Sequence, residues 1–286
     1  MSEKKNIVAS VKGRLLHIAR TEGKNHQLLL LRYFQERFLY RLSRSRYNHH
    51  FCLKGAAFLY ALEGERSRVT KDIDFLGMNI QSTHDSLRRA IINICERPYE
   101  EDGVTFDLES LTIEDIVKDG NYQGLRVGIT GHLDRTKQRL QIDIGFGDIV
   151  VPEPMKMTYP VILEMDAPVL YAYSLESTIA EKFEVMIDLG EINTRMKDFY
   201  DVYHLLSNHS VDSEILEQAI LQTFERRGTT ASQNHSLFQP AFYLDESRNT
   251  LWEAWKRKAK LDIGLEFSEV MEVIVERLKP IYLLLS

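Results

Sequence analysis

The chain has 286 residues, of which 44% are hydrophobic and 27% are charged, and its formal net charge is −6. These values are typical of a globular protein with one large or two small domains. We expect no membrane span, because no apolar run approaches the roughly 20 residues needed to cross a bilayer. With only two cysteines, no metal-ligand spacing between them and no signal-peptide core at the N-terminus, we expect a cytoplasmic protein.

Two helices are predicted near the start, over residues 7–20 and 25–45. The second carries an apolar stripe at helical spacing and an arginine cluster on its other face. A net negative charge does not exclude nucleic acid, since local basic patches matter more than the total. Each patch alone is more often a solvated charged surface. The three patches are Arg37, Arg41, Arg44 and Arg46; Arg135, Lys137 and Arg139; and Lys256, Arg257, Lys258 and Lys260.

The stretch LKGAAFLYALEGERSRVTKDIDF, residues 53–75, carries the first chemical signal. A short strand leads through Lys54 and Gly55 into an apolar helical segment, and the stretch ends on a second strand. Asp72 and Asp74 project to the same side of that strand, because side chains alternate between the two faces. Two adjacent carboxylates repel each other, and a divalent cation such as Mg²⁺ with a bound phosphate removes the conflict.

A third acid fits the same scheme. Residues 139–146 alternate polar and apolar side chains, with Asp143 on the polar face, so it could lie beside the first pair on a neighbouring strand. Three acids on two adjacent strands can hold two metal ions about 3.5–4 Å apart, the arrangement used for in-line phosphoryl or nucleotidyl displacement. The alternative is that Asp72 and Asp74 are ordinary solvated strand residues beside Lys71.

The middle of the chain predicts a sheet. A helix over residues 82–94 is followed by strands at 104–118 and 122–133, joined through the hairpin signal Asp119-Gly120. A further turn at 134–137 returns the chain into the Asp143 strand. A strand, glycine turn, helix and strand followed by an antiparallel meander indicate a mixed sheet with packed helices, an α+β fold.

Prolines at 152, 154 and 160 place a domain boundary near residue 165, so we predict domains at 1–165 and 166–286, the second helical. In the second domain Lys182 falls on an apolar helical stripe and Asp198 shares a face with apolar residues of the next helix. Two interpretations stay open. Lys182 and Asp198 form a bridge that fastens two helices, with Arg195 beside them, or they serve a reaction.

The chain resembles the AbiEii-type nucleotidyltransferase toxins of type IV toxin–antitoxin systems, a branch of the superfamily that includes polymerase beta. The resemblance covers residues 50–206 and departs at Ala56-Ala57, where many relatives carry a second glycine or a hydroxyl residue. The matching pieces, in family order, are Leu53-Lys54-Gly55; Arg68-Val69-Thr70-Lys71-Asp72-Ile73-Asp74; Asp143; Ser174-Leu175-Glu176 with Glu181-Lys182; and Arg195-Met196-Lys197-Asp198-Phe199-Tyr200-Asp201.

The resemblance implies a nucleotidyltransferase-like domain followed by a helical domain that contributes site residues. It implies a Mg²⁺-dependent phage-defence toxin that moves a nucleotide from NTP to RNA, at the tRNA acceptor end, and that a cognate antitoxin neutralises. A protein hydroxyl or a small molecule as acceptor, and a degenerate nucleotide-binding module, remain alternatives. The implied roles are catalysis by Asp74, Asp143, Lys182 and Asp198; nucleotide binding by Lys54, Gly55, Arg68 and Lys182; and metal binding by Asp72, Asp74 and Asp143.

Overall fold

The computed structural model describes residues 2–64, 70–118, 122–261 and 263–285. Arg68 and the hairpin turn Asp119-Gly120 lie outside these residues. The described helices are α1 (Ser2–Thr21), α2 (His26–Ser43), α3 (Gly55–Glu63), α4 (His84–Cys95), α5 (Leu175–Leu189), α6 (Met196–Asn208), α7 (Ser213–Arg227), α8 (Pro240–Tyr243), α9 (Glu246–Ala259) and α10 (Phe267–Tyr282). The described strands are β1 (Phe51–Lys54), β2 (Asp72–Gly77), β3 (Thr105–Lys118), β4 (Tyr122–Leu133), β5 (Thr136–Phe146), β6 (Met155–Thr158) and β7 (Val169–Ala172).

The seven strands form one mixed sheet in the order β3-β4-β5-β2-β1-β7-β6. The strands β3, β4 and β5 form the antiparallel meander expected from the turn signals. Strand β2 is parallel to β5 and antiparallel to β1, so the two strands that flank the stretch at residues 53–75 lie at the centre of the sheet. The predicted α+β fold with a mixed sheet and a helical C-terminal region is confirmed.

The chain folds as two compact units. The first contains residues 1–147 and 155–172, with the whole sheet, and the second contains residues 148–154 and 173–286. The boundaries of these units differ from a single domain boundary near residue 165. Residues 148–154 belong to the second unit, whereas β6 and β7, which follow them, complete the sheet of the first. Domains at 1–165 and 166–286 stay a prediction. The described residues contain no helix that is both long and apolar enough to cross a membrane.

The first unit has α2 as its central helix, and this helix is buried on nearly every side. The expectation that its arginines form an exposed basic surface is wrong for two of them. Arg41 is 3% exposed and donates to the Asp102 carboxylate at 2.7 and 3.2 Å, and Arg37 is fully buried beside Glu36. Buried guanidinium groups need such partners, because an unpaired charge is costly away from water.

The second unit is helical, and side-chain caps begin α5, α7 and α9. The hydroxyl of Ser174 accepts the N–H of Ser177 at the start of α5, and Asp212 and Asp245 cap α7 and α9 in the same way. The core that these helices enclose is aromatic. Its fully buried members include Phe183, Phe199, Phe224, Trp252, Phe267 and Tyr282.

The second unit also holds the segment 148–154. The hydroxyls of Ser174 and Ser177 donate to the carbonyl of Val151 at 2.5 and 3.1 Å, and the Val151 N–H donates to Ser177 at 2.7 Å. Arg227 adds ion pairs to Asp148 at 3.1 Å and to Glu184 at 2.6 Å. The segment is thereby fastened to the first turn of α5 and the last turn of α7.

Candidate active site

Four charged residues form a row across the centre of the sheet in the first unit. Lys54 of β1 is paired with Asp74 of β2, Asp74 is paired with Asp143 of β5, and Asp143 is paired with Arg126 of β4. Residues directly opposite one another on neighbouring strands project to the same face of a sheet. The row therefore places two carboxylates side by side between two cations.

Strand β2 alternates as expected from its sequence. Ile73 and Phe75 are each 1% exposed, whereas Asp72 and Asp74 are half-buried on the opposite face. Asp72 is paired with Gln141 of β5, one pleat before Asp143 on the same strand. The three acids predicted to bind metal thus share one face of two adjacent strands.

Gly55 makes room for the carboxylate of Asp74. Its φ is +64°, a left-handed value that other residues adopt only at a cost. A Cβ at this position would lie 2.6 Å from Oδ2 of Asp74 and 3.0 Å from its Cβ, which is closer than van der Waals contact allows. Gly55 also begins α3, so the N–H groups of the first turn of this helix lie next to Asp74.

The side chain of Lys54 extends over the neighbouring strands. Its backbone is extended where it precedes α3. Its ammonium lies 4.0 Å from the position that a Cβ would take at Gly145, two residues after Asp143 and on the same side of β5. A cation and a helix N-terminus beside the carboxylates form a setting in which phosphate groups bind well.

Arg126 is the member of the row that the sequence reasoning missed. Its Nε and Nη2 donate to the two oxygens of Asp143 at 2.8 and 2.9 Å, a bidentate pair. The side chain of Arg126 is 40% exposed and that of Asp143 is 7% exposed. Hydrogen bonding to Asp143 raises the pKa of Arg126, and the charges of Asp72 and Glu114 act in the same direction.

The register of the β4–β5 hairpin could have identified Arg126. The hairpin turns at Asp134 and Arg135, so Leu133 is opposite Thr136. Counting seven residues back from the first and seven forward from the second gives Arg126 and Asp143. The turn signal in the sequence thus contains enough information to place Arg126 opposite Asp143.

The three acids fit a divalent metal by the chemistry of their donors. Asp72, Asp74 and Asp143 offer hard carboxylate oxygens, which Mg²⁺ prefers, and they would hold the ion together with phosphate oxygens of a bound nucleotide. The absence of a Cβ at Gly55 keeps the space next to Oδ2 of Asp74 open. Each carboxylate oxygen also has more than one lone pair, so the pair with Arg126 leaves acceptor capacity on Asp143.

A second charged cluster lies in the second unit, between α5 and α6. The ammonium of Lys182 is 2.5 Å from Oδ1 of Asp198 and 2.9 Å from Oδ2 of Asp201, and Nε of Arg195 is 2.6 Å from Oδ2 of Asp198. Lys182 is 13% exposed and the two aspartates are 1% and 2% exposed. Burial alone would raise the pKa of Asp198, but Lys182 and Arg195 together hold it well below its ordinary value.

The structure thus brings the predicted residues together in two groups, one in each unit. Lys54, Gly55 and the three strand aspartates form the first. Lys182 and Asp198 form the second as a buried bridge, with Asp201 as a further carboxylate that the sequence left unassigned. A catalytic role for either group stays a prediction.

The mixed sheet, the glycine turn into α3 and the aspartate pair on adjacent central strands are the features of a nucleotidyltransferase. The family model for the nucleotidyl transferase AbiEii toxin of type IV toxin–antitoxin systems matches residues 37–273. Because the match covers most of the chain, the protein belongs to the AbiEii nucleotidyltransferase toxin family.

Among solved structures, the chain is similar to JHP933 from Helicobacter pylori, with 16% identity, 91% of this chain and 94% of that chain covered, and a TM-score of 0.48. A protein described as a nucleotidyltransferase, also from H. pylori, gives 17% identity, coverage of 91% and 97%, and a TM-score of 0.46. An antigenic nucleotidyltransferase-like protein from Paracoccidioides brasiliensis gives 14% identity, coverage of 68% and 89%, and a TM-score of 0.38. No curated protein matches the chain significantly.

Proposed function

We propose that this protein transfers a nucleotide from an NTP to a hydroxyl group of RNA in a Mg²⁺-dependent reaction. The observation that carries the proposal is the direct pairing of Asp74 with Asp143 across β2 and β5, with Lys54 opposite Asp74 on the other side. Such a row places two carboxylates side by side for metal binding and supplies a cation for the phosphates of the donor.

In the proposed reaction the hydroxyl oxygen of the acceptor forms a bond to the α-phosphorus of the NTP. The bond from that phosphorus to the bridging oxygen of the β-phosphate breaks, and pyrophosphate leaves with the electron pair. The proton of the hydroxyl passes to the carboxylate of Asp143 and then to solvent. Bound Mg²⁺ supplies neutralisation of phosphate charge, and Asp72, Asp74 and Asp143 would hold it.

The other residues of the first unit serve binding. Lys54 and the N–H groups that begin α3 contact the phosphates, which replaces the hydroxyl that is absent at Ala56-Ala57. Arg126 orients the carboxylate of Asp143 through two hydrogen bonds. We also propose nucleotide binding by Arg68, which the family resemblance implies.

For the second unit we propose that Lys182 stabilises phosphate charge and that Asp198 orients Lys182. The support is the short contact between their side chains, together with the family resemblance. A preorganised cation of this kind favours the transition state, because its hydrogen bonds are in place before charge develops.

Family membership motivates our proposals for the acceptor and the partner. We propose that the acceptor is the acceptor end of tRNA and that a cognate antitoxin binds and neutralises the enzyme. We also propose that the protein acts in the cytoplasm. Membership in a type IV toxin–antitoxin family supports the antitoxin. We also propose a role in phage defence, which the family resemblance implies. A protein hydroxyl or a small molecule is the alternative acceptor.

The test is incubation of the purified protein with Mg²⁺, total RNA and each of the four NTPs labelled at the α-phosphate. Label in RNA supports the proposal. Label in the protein or in a small molecule would show that this molecule, and not RNA, is the acceptor. Asp74→Asn should give no transfer. Asp115→Asn is the matched control, because Asp115 is an 85% exposed aspartate on β3, and it should transfer normally. Absence of label with every NTP would contradict nucleotide transfer and favour the alternative that the protein is a degenerate nucleotide-binding module.

A further inference from the structure

A band of aromatic rings lies along α6 and α9 in the second unit. Tyr200 and His204 are one helical turn apart on α6, with ring centroids 5.6 Å apart and planes inclined by only 23°. Trp255 of α9 lies 5.2 Å from Tyr200. All three side chains are half-buried, so each retains ring surface that water reaches. We call Tyr200, His204 and Trp255 the aromatic band.

The aromatic band lies at the edge of the hydrophobic core of the second unit. Trp252, one turn before Trp255, is fully buried, and its indole N–H donates to the carbonyl of Leu265 at 2.9 Å. Its ring also packs against Phe267 at 5.8 Å and against Trp255 at 4.9 Å. Core packing therefore explains Trp252 and fixes the position of Trp255, but it does not require a second indole at the edge.

Each of the two helices carries an exposed lysine three residues from a ring of the band. Lys197 precedes Tyr200 by three residues on α6, and Lys258 follows Trp255 by three residues on α9, so each lies on the same side of its helix as the ring. Both lysines are exposed, as is the adjacent Arg257. Partly exposed rings with lysines on the same helix sides suit a single strand, whose unpaired bases stack and whose phosphates attract cations.

The band and the buried bridge use the same turn of α6. Tyr200 stands between Asp198 and Asp201 in the sequence of α6, and both of these aspartates contact Lys182. Residues one or two positions apart on a helix point in different directions, so the ring of Tyr200 and the buried bridge share a turn of α6 but not a face. An acidic protein partner would use the lysines but would not need three rings in contact.

We propose that Tyr200, His204 and Trp255 form a stacking platform for an unpaired nucleobase of the acceptor strand, with Lys197 and Lys258 contacting its phosphates. The inference rests on the proposed function only in taking single-stranded nucleic acid as the acceptor. Stacking on an aromatic ring tolerates every base, so the platform sets where a strand lies and not which sequence it has.

The test measures the anisotropy of a fluorescently labelled six-nucleotide single-stranded RNA, titrated with the full chain without NTP. Trp255→Leu keeps an apolar side chain but removes the ring face, and Tyr200→Leu removes the ring face on α6. We expect Kd to rise at least tenfold in each. Tyr203→Leu is the matched control, since Tyr203 is a half-buried tyrosine of α6 outside the band, and its Kd should stay within twofold of the wild type.

A second probe keeps the test decisive if a variant does not fold. An abasic strand of the same length and charge should bind the unaltered chain at least tenfold more weakly than the RNA. Equal affinity for the two strands, or an unchanged Kd in a folded Trp255→Leu variant, would overturn the platform. Because neither measurement involves nucleotide transfer, an inactive enzyme that still prefers the RNA would refute the proposed function and leave the platform intact.

Discussion

Asp74 and Asp143 lie directly opposite one another on the adjacent parallel strands β2 and β5. Neighbouring strands are about 4.8 Å apart, so two carboxylates in this register face each other at short range and repel. The protein offsets the repulsion with Lys54 opposite Asp74 and Arg126 opposite Asp143. The two cations thus allow two carboxylates to lie side by side without a metal, in positions where both can bind a divalent ion.

The first prediction is that Asp74→Asn abolishes nucleotide transfer and weakens Mg²⁺-dependent NTP binding without unfolding the protein. Removal of one of two facing charges should leave the free energy of unfolding unchanged or slightly higher, because the repulsion with Asp143 is lost. Calorimetric titration with Mg²⁺ and a non-hydrolysable NTP, together with a melting curve, measures both effects. A folded variant with normal activity would remove Asp74 from the site.

The second prediction concerns the charge of Arg126. Its guanidinium occupies both oxygens of Asp143, so Arg126→Gln should allow Mn²⁺ to bind the metal-free protein roughly tenfold more tightly, the order expected when a like charge beside a dication is removed. Transfer should nevertheless slow, because the carboxylate of Asp143 is no longer held in place. Electron paramagnetic resonance of added Mn²⁺ reports the affinity independently of activity.

Arg126→Lys separates charge from geometry. A lysine keeps the positive charge but cannot make the bidentate pair. Its Mn²⁺ affinity should therefore stay near that of the wild type while its transfer rate falls as in Arg126→Gln. Unchanged transfer in both variants would show that the pair with Asp143 has no part in the reaction.

The third prediction tests the space beside Asp74. Gly55→Ala should reduce the free energy of unfolding by about 1–3 kcal/mol through strained backbone, and it should also abolish metal-dependent NTP binding, because the new Cβ meets Oδ2 of Asp74. Gly23→Ala is the matched control. Gly23 has a φ of +65°, with no atom within 4 Å of the Cβ position, so it should lose stability only. Loss of NTP binding in both would assign the effect to instability.

The local parts of the first group could be predicted from the sequence. Alternation in a strand has a period of two, so the shared face of Asp72 and Asp74 followed from their spacing alone. Asp143 was expected to lie close to Asp72 and Asp74, but this required β2 and β5, which are distant in the sequence, to be neighbours in the sheet. Only the parallel register of β2 with β5 establishes which residue lies opposite which.

The burial of Arg37 and Arg41 could not be predicted from helical periodicity. A hydrophobic stripe shows which side of a helix faces the core, but it does not show whether a loop covers the opposite side. Here the carboxylate of Asp102 accepts a hydrogen bond from Arg41, and the carbonyl of Asp166 accepts one from Arg37. Both acceptors are distant from α2 in the sequence. These contacts remove the two arginines from the predicted basic patch and leave Arg44 and Arg46 as its exposed members.

The fourth prediction is a pH dependence of stability due to Asp198. Its pKa in the folded protein is lower than in the unfolded chain, so the carboxylate stabilises the fold above a pH of about 4, and this stabilisation is lost as the pH falls below that value. The free energy of unfolding should therefore begin to decline below about pH 5 and continue to decline until the pH passes the lowered pKa of Asp198 in the folded protein. Lys182→Met should flatten the decline but not remove it, since Arg195 still contacts Asp198. Urea unfolding at a series of pH values measures the slopes, and equal slopes would contradict the prediction.

The last prediction decides whether Lys182 only fastens two helices. An exchange of charges, Lys182→Asp with Asp198→Lys, is a poor test in this structure, because it would set an aspartate against Asp201 and a lysine against Arg195. The exchanged protein should be less stable than either single variant.

Lys182→Arg is the sharper variant, since it keeps a cation for both aspartates. If Lys182 acts on the donor, Lys182→Arg should retain a melting temperature within a few degrees of the wild type while its single-turnover rate falls by about 10²-fold, the size expected when a positioned donor to the transition state is misplaced. Lys182→Met should lose as much rate and also some stability. A normal rate in a destabilised but folded Lys182→Met variant would show that the bridge is structural, and it would leave the reaction to the aspartate row of the first unit.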